Sequence, residues 1–214
     1  MLRIEYKNFS KAFGGIVVFD NFNCAFDGGK VNVIMGPSGC GKTTLLNAVA
    51  GLLPYDGVIE IGGKPHAGRC AASVSYVFQE PRLIPQKTVF KNLDFALKSA
   101  IRDKIERHVA ISLTLKEIGL GDAMHKYPHA LSGGMAQRVA LCRAFLYPTD
   151  LLLMDEPFKG LDKDTKQRVT DTFLTLRQRD KRTVLFVTHD AQEAELEGGV
   201  LFRLPEKPIT GVLA

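Results

Sequence analysis

The chain has 214 residues, of which 45% are hydrophobic and 24% are charged, and its net charge is +5 at pH 7. This balance is typical of a folded globular protein, and the apolar runs are far shorter than the roughly 20 residues of a membrane-spanning helix. No apolar leader follows Met1, so we expect a cytoplasmic protein. The basic residues are spread out, without interleaved aromatic residues, and no nucleic-acid partner is expected.

Five strands are predicted in the first 78 residues. Apolar alternation predicts strands over 2–6 and 17–26, with a turn at 11–15 between them. Asp27–Gly29 is typical of a hairpin turn and leads into an apolar strand over 31–35. Further strands are predicted over 55–63 and 74–78. Phe13 lies in the first turn, where its ring could stack on a base or belong to the core, and its position alone leaves both open.

The residues after the third strand match G-x-x-x-x-G-K-[S/T], the phosphate-binding loop. Glycines let successive backbone N–H groups point at one anion. The helix predicted over 44–50, which Gly51 closes, directs its positive end at the same place. Cys40 contributes its backbone, and its thiol is expected to be a small filler. The predicted phosphate site comprises Gly36, Ser38, Gly39, Cys40, Gly41, Lys42, Thr43 and Thr44.

The pattern becomes helical from Thr88 to about Leu120, which predicts an inserted helical subdomain. Two sets of apolar residues recur at helical spacing and predict its apolar faces. A later helix, over 135–146, begins after small residues. Its N-terminus could bind a second anion or could be a plain N-cap. The two apolar sets are Phe90, Leu93, Leu97 and Ile101, Ile105, Val109, and the small residues are Ser132, Gly133 and Gly134.

Two further strands end in polar residues. Residues 150–157 predict a buried strand that ends in Asp155 and Glu156. Beside a phosphate loop, Asp155 could hold Mg²⁺ through water and Glu156 could orient or deprotonate the attacking water, although a solvated acidic turn would look the same. The strand predicted over 183–188 ends at His189, which local sequence alone leaves as structural or functional. The tail, 200–214, predicts one strand and an extended end, and the other four histidines are expected at the surface or as caps.

Taken in order, these segments resemble the nucleotide-binding subunit of an ABC transporter over essentially the whole chain. The Leu-Ser-Gly-Gly element at 131–134 separates this family from other phosphate-loop proteins. The resemblance implies an α/β fold with a P-loop NTPase (RecA-like) core and an N-terminal antiparallel β subdomain, residues 1–85 and 146–214. It also implies an inserted α-helical subdomain, residues 86–145, that carries the signature motif.

The resemblance implies roles at the nucleotide. Phe13 resembles the aromatic residue that stacks on the adenine of ATP. Lys42 and the loop backbone resemble the groups that bind the β- and γ-phosphates. Thr43, Gln79 and Asp155 resemble the residues around Mg²⁺, and Gln79 also resembles a sensor of the γ-phosphate.

The resemblance further implies that two chains act together. Glu156 resembles the catalytic base and His189 the γ-phosphate switch. Asp162 resembles part of the loop that bridges the two subunits. In the family, Ser132 and Gly134 of one chain close over the γ-phosphate bound to the other, so ATP holds a homodimer together and hydrolysis loosens it.

Residues 79–85 and Met135 most resemble the corresponding residues of importer ATPases for small anions such as nitrate, sulfonate and taurine. This implies ATP-driven import through separate integral membrane permease subunits, with an extracytoplasmic solute-binding protein, at the cytoplasmic side of the membrane. The alternatives are an ABC-type ATPase of a cell-division or lipoprotein-release complex, or a soluble DNA- or ribosome-associated ATPase. Lys159, where a small residue is usual, and a shortened segment over 191–203 depart from the family pattern.

Overall fold

The computed structural model describes residues 1–66, 73–195 and 199–213. The chain divides into two compact units: Met1–Tyr76, Thr149–Glu156 and Lys181–Ala214 form the first, and Val77–Pro148 and Pro157–Asp180 form the second. Cys70 and part of the segment 191–203 lie outside the described residues. The division into 1–85 with 146–214 and 86–145 follows from the family resemblance and stays a prediction.

An antiparallel sheet dominates the start of the first unit. Its strands are β1 (Ile4–Phe13), β2 (Ile16–Phe26), β4 (Asp56–Ile61), β5 (Lys64–Pro65) and β10 (Ile209–Leu213), in the order β10-β2-β1-β4-β5. β1 pairs antiparallel with β2 and β4, whereas β10 joins β2 in parallel. The predicted strand over 2–6 therefore extends to Phe13, and the turn shrinks to two glycines of positive φ.

A second sheet of the first unit is largely parallel. Its strands are β3 (Val31–Met35), β6 (Val74–Val77), β7 (Leu151–Asp155), β8 (Thr183–Val187) and β9 (Val200–Arg203), in the order β6-β7-β8-β3-β9. β7, β8, β3 and β9 run parallel. All residues of β3 and β8 are buried, as expected for parallel strands covered on both faces. The tail forms two strands, β9 and β10, in different sheets, so the prediction of one tail strand is wrong.

The turn at Asp27–Gly29 does not close a hairpin, because β2 and β3 belong to different sheets. The amide of Asn32, which is buried, accepts a hydrogen bond from the Asp27 N–H at 2.9 Å and donates one to the Asp27 carbonyl at 2.9 Å. These bonds fix the chain as it leaves one sheet and enters the other. The hairpin prediction is wrong because turn residues report a change of direction and cannot report which strand is paired next.

The core of the first unit forms around helix α1 (Lys42–Val49). Its apolar residues belong to one cluster with residues of both sheets, and the Tyr6 hydroxyl donates to the Leu45 carbonyl at 2.9 Å. A short helix, α6 (Ala191–Ala194), follows β8. His66 was expected at the surface or as a cap; it is buried, and its Nε2 lies 3.2 Å from the carbonyl oxygen of Ala48 in the last turn of α1.

The second unit is helical. It contains α2 (Val89–Leu97), α3 (Lys104–Glu117), α4 (Gly133–Leu146), α5 (Lys163–Gln178) and two 3₁₀ turns, Gly121–Ala123 and Pro128–Ala130. α2, α3 and α4 pack on one another, and α5 packs on α4. Within the described parts of the chain, no helix combines the length and apolar character needed to cross a membrane.

One predicted apolar face of this unit is wrong. Ile105 and Val109 on α3 are 76% and 49% exposed. The buried side of α3 instead holds Ile111 and Arg107. The Arg107 guanidinium is satisfied there, because its Nε donates to Asp94 on α2 at 2.8 Å and its Nη1 donates to backbone carbonyls at 2.8 and 3.0 Å.

Candidate nucleotide-binding site

The carboxyl ends of β3, β7 and β8 meet at one edge of the parallel sheet. Val187 is level with both Ile34 and Asp155 in the strand register. Backbone hydrogen bonds continue past the strand ends, from the Glu156 N–H to the Val187 carbonyl at 3.0 Å and from the Thr188 N–H to the Ile34 carbonyl at 3.2 Å. Segments more than 100 residues apart in sequence are therefore held side by side, at the edge where α/β proteins bind ligands.

The phosphate loop joins β3 to α1 at this edge, as the motif predicted. Gly39 and Gly41 have φ of +76° and +113°, values that residues other than glycine rarely adopt. Gly41 is the N-cap of α1 without a side-chain hydrogen bond, and the first turn of α1 has no acidic residue. The N-terminus of this helix thus keeps its positive character toward an anion. Ser38 is exposed at the loop surface, and Cys40 is buried beneath the loop, as a filler would be.

The side chain of Lys42 folds back onto the start of the phosphate loop. Its ammonium donates to the carbonyls of Gly36 at 2.8 Å and Pro37 at 2.9 Å, and its side chain is buried. An ammonium has three N–H donors, so these two bonds anchor it and leave one donor for a phosphate oxygen. Thr44, the next residue but one, is half-buried in the first turn of α1.

Thr43 and Asp155 form an oxygen pair at the loop. The Thr43 hydroxyl donates to the Asp155 carboxylate at 3.0 Å, although the two residues are 112 positions apart in sequence. A hydroxyl beside a single carboxylate suits Mg²⁺, which binds to one or two protein oxygens, substrate phosphates and waters. In the described residues no group of three or more His, Cys, Asp and Glu side chains could hold a metal by itself.

Glu156 and His189 lie together beyond the strand ends. The His189 Nδ1 is 3.6 Å from the Glu156 carboxylate, and the two side chains are 58% and 14% exposed. Glu156 has φ of +45°, an unusual value for a residue with a side chain that costs about 1–3 kcal/mol. The backbone bond to Val187 helps to hold this conformation, in which the carboxylate lies beside the histidine.

Two residues next to His189 were missed by the sequence interpretation. Thr188 and Glu193 are buried, and the Thr188 hydroxyl donates to the Glu193 carboxylate. The same hydroxyl accepts from the Asp190 N–H at 3.0 Å. Glu193 thereby holds the residue that precedes His189. The sequence offered one indication, a hydroxyl five positions before a carboxylate at the start of a helical turn.

Phe13 ends β1 and is 48% exposed, which excludes the core alternative. The Lys11 ammonium lies 5.0 Å from the centroid of its ring and donates to the Pro54 carbonyl at 2.6 Å. A cation so placed stabilises one face of the ring. Lys11 was also missed, because only the folded β1 shows that it reaches both groups.

The small residues of the signature motif belong to the second unit. Ser132 is the N-cap of α4 and accepts a hydrogen bond from the Met135 N–H at 3.3 Å. Its own O–H remains able to donate, so capping and anion binding are compatible. A Cβ at Gly134 would lie 2.1 Å from the Thr165 methyl group on α5, so this glycine allows the two helices to pack. Gly133 is exposed, with no heavy atom within 4 Å of a Cβ there.

Gln79 and Asp162 also belong to the second unit. Gln79 is exposed, two residues after β6. Asp162 is the N-cap of α5 and accepts from the Thr165 N–H at 3.0 Å. Hydrogen bonds from Thr165 lower the pKa of Asp162 and keep it a carboxylate. Lys159, in the same loop, is exposed.

A buried strand, a glycine-rich loop, a helix N-terminus and a neighbouring aspartate define a P-loop nucleotide-binding protein. The sequence profile of the ABC transporter family matches residues 19–159. The chain therefore belongs to the ABC transporter family, and its reaction is the hydrolysis of ATP.

Similar proteins agree with this assignment. The chain is 39% identical over 197 residues to the taurine import ATP-binding protein TauB of Escherichia coli (strain K12), covering 92% of this chain and 77% of that protein. The identity to TauB of E. coli O157:H7 is 41% over 183 residues, with coverages of 85% and 71%. The dimeric, post-hydrolysis structure of the ATP-binding cassette MJ0796 bound to ADP and Pi matches with a TM-score of 0.81 and 28% identity, covering 97% of this chain and 95% of that one. The predicted fold class is confirmed.

Proposed function

We propose that this chain is the ATPase that energises import of taurine or a similar small sulfonate. The observation that carries the proposal is the identity of 39–41% to taurine import ATP-binding proteins over most of the chain. It favours import over a role in cell division, lipoprotein release or work on DNA or ribosomes. Separate permease subunits span the membrane, the ATPase binds their cytoplasmic side, and an extracytoplasmic solute-binding protein delivers the anion.

The nucleotide lies along the exposed edge of the first unit in this proposal. The half-exposed ring of Phe13 stacks on the adenine through the face opposite Lys11. The N–H groups of the loop and the third donor of Lys42 bind the β- and γ-phosphates. Support comes from the uncapped N-terminus of α1 and from the anchored ammonium of Lys42.

Mg²⁺ fits the donor pair of Thr43 and Asp155, with Gln79 as a further oxygen ligand. When bound, the ion neutralises charge on the phosphate oxygens. The protein residues contribute a neutral hydroxyl and one carboxylate, a donor set that suits a cation shared with phosphates.

Glu156 acts as the general base and His189 as the γ-phosphate switch. As the oxygen of water bonds to the γ-phosphorus, its proton passes to the Glu156 carboxylate and the bond from phosphorus to the bridging oxygen breaks, which releases ADP and phosphate. His189 lies close enough to Glu156 to orient the carboxylate and exposed enough to reach a phosphate oxygen. These two positions support the proposal through their geometry.

Two chains complete each site in this proposal. Ser132, Gly133 and Gly134 of one chain close over the γ-phosphate on the other, and the loop containing Asp162 bridges the subunits. The exposed signature turn supports this arrangement, as does the dimeric state of the MJ0796 cassette. Closing and opening of the pair would then be transmitted to the permease.

The test is capture of the tagged chain from its native membranes. The expected result is co-purification of a permease, followed in vesicles by ATP hydrolysis that taurine-loaded binding protein stimulates. Glu156→Gln in the same complex controls for contaminating ATPases. Capture of ribosomes or DNA instead, or hydrolysis indifferent to every small sulfonate, would overturn the proposal.

A further inference from the structure

We propose that helix α4 holds the segment around Gln79 in place and thereby positions Gln79 for the reaction. Gln137 and Arg143, both on α4, are the positioning residues. The segment is residues 78–88, which link β6 to α2 and which we call the Gln79 segment. The inference concerns the second unit and rests on the proposed function only for its effect on catalysis.

Arg143 makes the strongest attachment. Its Nη1 donates to the Arg82 carbonyl at 2.9 Å and its Nη2 donates to the Pro81 carbonyl at 2.9 Å. The planar guanidinium thus binds two successive carbonyls, which an ammonium cannot match in geometry. Arg143 is half-buried, and this burial lowers the pKa of its guanidinium.

Gln137 makes the attachment nearest to Gln79. Its Nε2 donates to the Phe78 carbonyl at 3.3 Å. Its Oε1 is buried and has no hydrogen-bond partner in the described part of the chain. A buried amide with one orphan atom is costly, so packing alone would favour an apolar side chain here. The bond to Phe78 offsets part of this cost.

The segment is also stiff within itself. The Arg82 guanidinium lies 3.8 Å from the centroid of the Phe78 ring and closes residues 78–82 into a compact turn. Arg82 has φ of +45°, a strained value that only fixed surroundings maintain. Farther along, buried Asn92 bonds both the N–H and the carbonyl of Ile84, at 2.7 and 3.2 Å. Gln79 therefore lies in a turn, residues 78–82, whose backbone is held by these contacts.

This attachment has a consequence for the reaction. Ser132 begins α4, and Gln137 and Arg143 lie within it. Loss of these bonds should therefore loosen the backbone that carries Gln79 and slow hydrolysis. Binding of ATP by the phosphate loop, in the first unit, does not depend on this attachment.

Hydrogen–deuterium exchange of the intact chain tests the attachment directly. Arg143→Met removes two bonds, and Gln137→Met removes one while also removing the orphan acceptor, so the second variant should fold even if the first does not. We expect exchange over residues 78–82 to accelerate roughly three- to tenfold in Gln137→Met and by at least about tenfold in Arg143→Met. Arg179→Met, which breaks an exposed ion pair with Glu117 in the same unit, is the matched control and should leave the segment unchanged.

ATP turnover by the same variants separates the inference from the proposed function. We expect kcat to fall and the Kd for ATP to stay within about twofold, with partial rescue in Arg143→Lys. Unchanged exchange over 78–82 in both α4 variants would overturn the attachment, whatever their activity. Faster exchange with unchanged kcat would uphold the attachment and overturn the role proposed for Gln79.

Discussion

Gly41→Ala perturbs the phosphate loop at its tightest point. A Cβ at Gly41 would lie 2.6 Å from Phe19 Cε2 and 2.7 Å from Val18 Cγ1. Both neighbours are buried in the core of the first unit and cannot retreat without disturbing it. Overpacking of this kind costs about 1–3 kcal/mol, and φ of +113° costs a non-glycine residue about 1–3 kcal/mol more, so we expect a loss of roughly 2–6 kcal/mol.

Gly39→Ala is the matched control. Gly39 has φ of +76°, but a Cβ there has no heavy atom within 4 Å. It therefore incurs only the backbone cost of about 1–3 kcal/mol. Urea unfolding measures the stability of both variants, and titration with a fluorescent ATP analogue measures binding. We expect both to bind nucleotide more weakly and Gly41→Ala to unfold at clearly lower urea. Equal unfolding midpoints would refute the argument that Gly41 is required by its contact with Phe19.

Three other substitutions test the proposed site. Glu156→Gln keeps the shape of the side chain and removes the base, so ATP binding and dimerisation should persist while phosphate release falls by at least about 10²-fold; rapid hydrolysis would remove Glu156 from this role. Lys42→Ala should abolish binding of a fluorescent ATP analogue, whereas Lys30→Ala, which removes a surface ammonium bonded to Asp27, should not; unchanged affinity in Lys42→Ala would contradict the loop assignment. Lys11→Met removes the cation over the ring of Phe13 and the bond to the Pro54 carbonyl, so the ring is no longer held in place; the free energy of unfolding should fall by about 0.5–1 kcal/mol, ATP should bind about two- to fivefold more weakly, and unchanged ATP affinity would contradict stacking on Phe13.

The phosphate loop could be predicted from sequence because its requirements are local. Gly39 and Gly41 are needed for backbone conformations that depend on their own φ angles, and Lys42 folds back within six residues to the carbonyls that anchor it. The contact of Thr43 with Asp155 joins residues that are distant in sequence. The end of a buried strand in carboxylates indicated Asp155 as a neighbour of the phosphate loop, but the contact itself depends on the parallel order of β3, β8 and β7, which no local pattern specifies.

Helix α3 shows why periodicity alone failed. Apolar residues recur every four positions along two of its sides, Ile105 and Val109 on one and Ile111 and Leu115 on the other. Spacing cannot choose between two such sides. Arg107 lies on the side of Ile111, and its charge is tolerated in this buried position because Asp94, on another helix, and two backbone carbonyls accept its hydrogen bonds.

Lys11 and Arg143, which the sequence interpretation missed, act across the fold. Lys11 reaches a carbonyl 43 positions away, and Arg143 reaches carbonyls more than 60 positions away. Lysine and arginine at such positions look like ordinary surface charges in a sequence. Their partners are backbone carbonyls, which every residue supplies, so no pattern of residue types could have paired them.

The geometry of His189 follows from the sheet more than from the histidine itself. Its neighbour Thr188 is held on one side by the bond from its N–H to the Ile34 carbonyl and on the other by its hydroxyl bond to Glu193. Ile34 lies on the strand that leads to the phosphate loop, and Val187 accepts the bond that holds Glu156. A shift of β8 against β3 would therefore move the histidine and the carboxylate together, relative to the loop that binds phosphate. The distance between the proposed base and switch is thus fixed by the register of parallel strands, of which β3 and β8 are buried along their whole length.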